Sequence, residues 1–139
     1  MEAEGLLGRW ELRRRVADRR AGLVGAVRGE LILSTVDDGV RWAETGTLHW
    51  DGRRTPVHRT LLVRDGFVYF EDGRPFHPWR PGETVVHPCA MDVYTGLVVV
   101  DRGATRLRTL WDVRGPAKDQ RLVTRCVRLG RRGGGSAGR

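Results

Sequence analysis

A chain of 139 residues suits one domain built on one hydrophobic core, and no run in it approaches the ~18 apolar residues of a membrane-spanning helix. Apolar residues make up 40% of the chain, an ordinary share for a globular protein. The formal net charge of +8 raises the question of nucleic acid, but the arginines are scattered and often alternate with apolar residues, which places them on outer strand faces; specific nucleic-acid binding is not expected.

In chain order, the acidic start Met1-Glu2-Ala3-Glu4 lacks the apolar stretch of a signal peptide, so a cytoplasmic location is expected. At most one helical turn precedes Gly8. Trp10, Leu12, Arg14 and Val16 then alternate with Arg9, Glu11, Arg13 and Arg15, the period of a strand. A turn over Asp18–Gly22 leads into a strand over Leu23–Thr35, in which Gly25 and Gly29 mark a bend. Asp37-Asp38-Gly39 signals a hairpin, and Val40–Trp50 is the next strand, ended by Asp51-Gly52. Thr55–Val63 alternates again up to Asp65-Gly66, and Phe67–Glu71 forms a short apolar strand ended by Asp72-Gly73.

The following stretch, Arg74 to Gly82, carries three prolines and is expected to be a rigid loop. Strands resume over Thr84–Cys89, Tyr94–Asp101, Ala104–Val113 and Gln120–Leu129. Cys89 and Cys126 lie far apart and no CxxC occurs, which points to reduced thiols and gives no support to a metal site. The Gly/Arg-rich tail 130–139 lacks the apolar surface needed to order itself, so the barrel domain is expected to occupy residues 1–129.

Short, evenly spaced strands joined by tight turns describe an all-β meander of about eight to ten strands. Closing it into an up-and-down antiparallel β-barrel removes the exposed edges and encloses room for one small ligand.

Gly8-Arg9-Trp10 resembles the Gly-x-Trp that opens the first strand of lipocalins. In that superfamily the tryptophan plugs the closed end of the barrel and a basic residue of the last strand packs across it, a part that Arg125 or Arg128 would take here. Further motifs stand in one order: Glu44-x-Gly46, Phe70-x-Asp72-Gly73-Arg74-x-Phe76-His77, His87-x-Cys89-x-x-Asp92-x-Tyr94, and Trp111-x-Val113-x-Gly115-Pro116-x-Lys118-Asp119. With them the chain, from about Leu6 to Arg128, resembles an uncharacterised lipocalin-like (calycin-type) family of bacteria and some fungi, a domain of unknown function. The resemblance implies the barrel and brings no established activity. Gln120 departs from it, standing where that pattern tends to place an aromatic residue.

Several residues carry possible chemistry. Arg59 lies on the apolar face of its strand and needs a partner; Glu44, on the neighbouring strand, is the natural one. The pair is either an internal brace or a receptor for a ligand carboxylate, phosphate or phenolate. His87 shares a strand face with Cys89, and Asp92 shares one with Tyr94. His87 or His77 beside Asp92 and Tyr94 would suit acid–base catalysis, of isomerase or lyase type; the structural alternative is a satisfied core histidine. Arg74 is expected to brace Asp72, and Lys118-Asp119 to form a surface pair or set a lysine at the pocket mouth.

Trp42, Trp50, Trp79 and Trp111 supply aromatic lining, with Trp111 pointing inward beside Leu107, Thr109 and Val113 and Trp79 covering the opening. The leading expectation is a barrel, monomeric or homodimeric, that binds a small apolar or aromatic, in some cases anionic, molecule through Glu44, Arg59, His77, Trp79, His87, Tyr94 and Trp111. An enzyme using His87, Asp92 and Tyr94, a haem carrier with histidine as axial ligand, and a filled structural module are the alternatives. No cofactor is assigned. Either pocket reading calls for an internal cavity of about 300 Å3 or more.

Overall fold

The computed structural model describes residues 1–130; the tail from residue 131 onward, expected to be disordered, lies outside the described residues. Ten strands follow a 3-10 turn over Ala3–Leu6. They are β1 (Gly8–Asp18), β2 (Leu23–Val36), β3 (Gly39–Trp50), β4 (Arg53–Arg64), β5 (Phe67–Phe70), β6 (Pro75–Pro78), β7 (Val85–Cys89), β8 (Asp92–Val100), β9 (Arg106–Gly115) and β10 (Lys118–Arg128). The alternation of apolar and charged residues becomes alternation of buried and exposed side chains, as in β9, where Leu107, Thr109, Trp111 and Val113 are buried between exposed or half-buried neighbours. Asp51-Gly52 and Asp65-Gly66 take left-handed φ at both residues, the geometry of tight hairpin turns whose twist matches the strands they join.

All ten strands form one antiparallel sheet in the order β6-β5-β4-β3-β2-β1-β10-β9-β8-β7. Pairing of β1 with β10, from Trp10↔Arg128 to Asp18↔Gln120, curls the meander into a barrel. Gly29 and Gly46 face each other across β2 and β3, and a Cβ on Gly29 would run into the Thr45 backbone, so the wall bends where only glycine fits.

The barrel is nearly closed. Its two terminal strands, β6 and β7, meet without ladder hydrogen bonds, and aromatic side chains join them: the Phe76 and His87 rings lie 5.2 Å apart and the Phe70 and His87 rings 5.9 Å apart. The proline-rich stretch expected to be a loop contains β6 itself. Proline is tolerated there because a strand at the sheet's end has one unpaired edge, where a missing N–H costs no ladder bond. A register shift between Val68 and Tyr69 accompanies it, and both Phe76 and the adjacent His77 are buried.

One end is sealed as the tryptophan motif implies. Trp10 is fully buried, its Nε1 donates to the Leu6 carbonyl at 3.0 Å, and the Arg128 guanidinium lies 4.7 Å from its ring centre. Arg128 also donates to the Leu7 and Gly5 carbonyls, which straps the N-terminal turn across this end. Trp79 belongs to the same seal: its Nε1 donates to the Met1 carbonyl at 2.8 Å, so it closes the plugged end and not the opposite mouth.

The β5–β6 hairpin is short. β4 pairs with β5 only over Leu61–Arg64, so the edge of β4 from Arg53 to Thr60 has no strand beside it. Pro56 and the charges of Arg53 and Arg54 occupy this free edge, as expected of an edge kept from pairing with other chains. The gap leaves the barrel wall open beside Arg59.

Candidate functional site

Halfway up the interior sits a polar cluster within an apolar core. Glu44 points inward from β3, where it faces Arg59 of β4 in register, and it is buried to 5% exposure. Its Oε2 accepts from Arg59 Nη2 at 3.0 Å and from Trp42 Nε1 at 2.9 Å, and its Oε1 accepts from Arg14 Nη2 at 2.9 Å. Arg14 in turn donates from Nε to Thr124 Oγ1 at 2.6 Å. Burial alone would push the Glu44 carboxyl up; the Arg59 and Arg14 charges and the Trp42 N–H outweigh it and bring the carboxyl down to about 2. The expected Glu44–Arg59 pair is therefore present. Its second cation, Arg14, was visible in the sequence only as the charged member of the row Trp10, Leu12, Arg14, Val16.

Two arginines against one glutamate leave the cluster with one positive charge in excess. The Arg59 side chain is 35% exposed toward the gap in the wall, whereas that of Arg14 is 12% exposed. Two polar atoms nearby, Arg59 Nε and Thr109 Oγ1, are buried without a hydrogen-bond partner. Both residues line one interior void together with Trp42, Phe76, His77, Trp79 and Trp111. Its volume is about 20 Å3, room for a single water molecule. A second space, on the other side of Arg59 between Leu12, Arg14, Val27, Glu44 and Val57, is about 50 Å3. Among the described residues no interior cavity of about 300 Å3, the size expected of a pocket, stands open, because indoles and phenyl rings fill the lumen. Phe76 stacks on Trp111 at 5.0 Å and Trp42 meets Trp79 edge-on at 6.3 Å, as the filled structural module would have it, and a ligand would have to displace them.

The histidines divide. His77 is buried, and its Nδ1 lies 2.7 Å from the Pro78 carbonyl, so in the neutral ring Nδ1 donates and Nε2 remains an acceptor. Burial lowers its pKa, and the Arg59 charge adds to this against the pull of that carbonyl. His87 stands opposite Tyr94 in register, their rings 6.0 Å apart, within a cluster that includes Phe70 and Phe76. Asp92 sits opposite Cys89 at the end of β7, and its partner is Lys118, whose Nζ is 3.3 Å from Oδ2. Among the described residues no carboxylate hydrogen-bonds to His87 or His77. Lys118 thus pairs with Asp92 and not with Asp119, which binds Arg19. Arg74 braces Asp72 as expected, Nε to Oδ2 at 2.8 Å. Among the described residues no group of three or more potential metal ligands converges. Both cysteines are free, and burial pushes the Cys126 thiol up to about 12.

The barrel plugged by a tryptophan at one end, with a buried ionic cluster inside, has a lipocalin-like fold. Within that class, the chain belongs to the family of unknown function DUF6314, which it matches over residues 6–128. No curated protein matches it. Among solved structures it is similar to an S-type phycobiliprotein lyase from Guillardia theta, at 10% identity and a TM-score of 0.68, covering 95% of each chain. It is also similar to a protein of unknown function from the DUF3598 family of Nostoc punctiforme, at 10% identity and a TM-score of 0.50, covering 93% of this chain and 49% of that one. At such identities the likeness is one of fold.

Proposed function

We propose that this protein binds a small aromatic or apolar molecule with an anionic end, and that Arg59 receives that end. The observation that carries the reading is the convergence of two unpartnered buried polar atoms, Arg59 Nε and Thr109 Oγ1, on one aromatic-walled void beside a cluster with an excess positive charge. Buried polar atoms without partners are uncommon in folded proteins, and an anionic ligand would satisfy both. Arg59 is reachable through the gap above the β5–β6 hairpin. Phe70, His87, Tyr94 and Trp111 form the adjacent aromatic surface on which the body of a ligand would lie.

Deeper entry requires the lumen to widen. The weakest part of the wall is the β6–β7 seam, which side chains alone hold, so Phe76 and His87 would separate as the guest enters. A porphyrin would need far more widening of the lumen than a small aromatic molecule, so nothing here supports the haem reading, and Asp92, paired with Lys118, lends none to the catalytic one.

The test uses anilinonaphthalene sulfonate and its uncharged analogue lacking the sulfonate, followed by fluorescence titration. The sulfonate should bind at least about tenfold more weakly to an Arg59→Met variant, while the uncharged analogue binds both alike. Equal sulfonate affinity in the two proteins would remove Arg59 from the site. Native mass spectrometry of protein purified from its own host would then identify a co-purifying molecule.

A further inference from the structure

The outer face carries an arrangement that the barrel does not need. Arg28 of β2 stands opposite Arg13 of β1, Arg13 opposite Arg125 of β10, and Arg125 opposite Arg108 of β9. Four arginines thus form one row across four neighbouring strands, all of them exposed. Directly opposed like charges on a sheet are destabilising. Among the described residues only Arg13 has an acidic neighbour, Glu11 at 3.5 Å, and the other three have no ion-pair partner. At about 4.8 Å between strands, the row extends roughly 14 Å.

Beside the row the surface is aliphatic. A groove of about 540 Å3 has Arg13, Arg106, Arg108 and Arg125 along it beside Val99 and Val127. Its two carboxylates, Glu11 and Asp101, are engaged by Arg13 and by Thr105 and the Arg106 N–H, so the lining keeps an excess of positive charge. A smaller hollow of about 180 Å3 between Leu97, Leu110 and Val123 adjoins it at Arg108 and Val99.

We infer that this face, running from β8 through β9, β10 and β1 to Arg28 of β2, docks an acidic protein segment that inserts aliphatic side chains between the arginines. Charge complementarity sets the sign of the partner. The aliphatic residues set its kind: Leu97, Val99, Leu110 and Val123 are half-buried beside the long arginine side chains, where a protruding leucine or isoleucine reaches them more readily than a flat bilayer does. Nucleic acid would find phosphate contacts here but no aromatic side chain on which to stack a base. A second copy of this chain would bring its own positive row to the same place, so self-association through this face is disfavoured. Arginine beside aliphatic side chains is also the composition found at the centre of many protein interfaces.

The test uses the full chain, an Arg125→Glu variant, and four labelled probes: a peptide repeating glutamate and leucine, an all-glutamate peptide of equal charge, oligothymidylate, and phosphatidylserine vesicles. Arg125→Glu places a carboxylate between Arg13 and Arg108, so the Tm should rise while affinity for the glutamate–leucine peptide falls about tenfold. Gain of stability with loss of binding separates docking from damage to the fold. An Arg41→Glu variant, which removes an exposed arginine elsewhere on the barrel, should leave binding within about twofold of the parent. The inference is overturned if Arg125→Glu leaves peptide affinity unchanged, if the all-glutamate peptide binds as well as the mixed one, or if oligothymidylate or the vesicles bind more tightly than the peptide.

Discussion

Glu44 is the residue on which the interior depends. A carboxylate this deeply buried stays charged only because three donors, from Arg14, Arg59 and Trp42, converge on it. Its carboxyl titrates near 2 when folded, against 4.5 as the ordinary value. Between those pH values the unfolded chain binds more protons, so stability is complete above pH 4.5 and falls as the pH drops toward 2. The loss should reach about 3 kcal/mol. Glu44→Gln should cost about 3 kcal/mol at neutral pH, roughly 10 °C in Tm, by leaving two guanidinium groups uncompensated. It should also flatten the acid limb of the stability curve; an unchanged limb would show that other carboxylates govern it. The Glu44–Arg59 pair was legible because an arginine on an apolar strand face demands a partner. Arg14 followed the same rule in the row of Trp10 and Leu12, but alternation alone says only that it points inward, not that it reaches across the lumen to β3.

Among the elements, the β7–β8 hairpin turns through Ala90, which adopts a left-handed φ of 56°. Alanine pays a steric penalty there that glycine avoids, partly offset by glycine's freer unfolded state. Ala90→Gly should therefore stabilise the protein by about 0.5–1 kcal/mol, measured as a shifted midpoint in urea; a lowered midpoint would mean the turn is not held in this conformation. Strand positions were readable from period-two alternation and the Asp-Gly turns, because both arise from local backbone geometry. β6 was not, since proline excludes a central strand but permits a terminal one. Which strand ends the sheet is decided by the whole wrapping of the chain. Trp79 was misplaced for the same reason: its position follows from the hydrogen bonds to Gly66 and Met1, which only the closed barrel brings together.

For the molecule as a whole, the proposed binding role predicts that the ionic cluster as a unit can be replaced without loss of the fold. Arg14→Met, Glu44→Leu and Arg59→Met combined would replace it with hydrocarbon of similar volume. Buried ionic clusters replaced in this way often leave stability unchanged or raise it by about 1–4 kcal/mol. The triple variant should therefore unfold at an equal or higher urea concentration and should lose preferential binding of the anionic dye. Failure of the variant to fold would show that the cluster specifies the barrel.

The alternation, the turn residues and the tryptophan motif by themselves determined an all-β barrel plugged at one end, because strand period and turn conformation are properties of neighbouring residues. They also paired Arg59 with Glu44 on the neighbouring strand. Tertiary structure decided the rest: that the lumen is filled by stacked aromatic rings, that β6 and β7 meet without hydrogen bonds, and that four outward arginines align in one row. Each of these depends on cross-strand register and on side chains from opposite walls meeting in space, and no local rule along the chain carries that information.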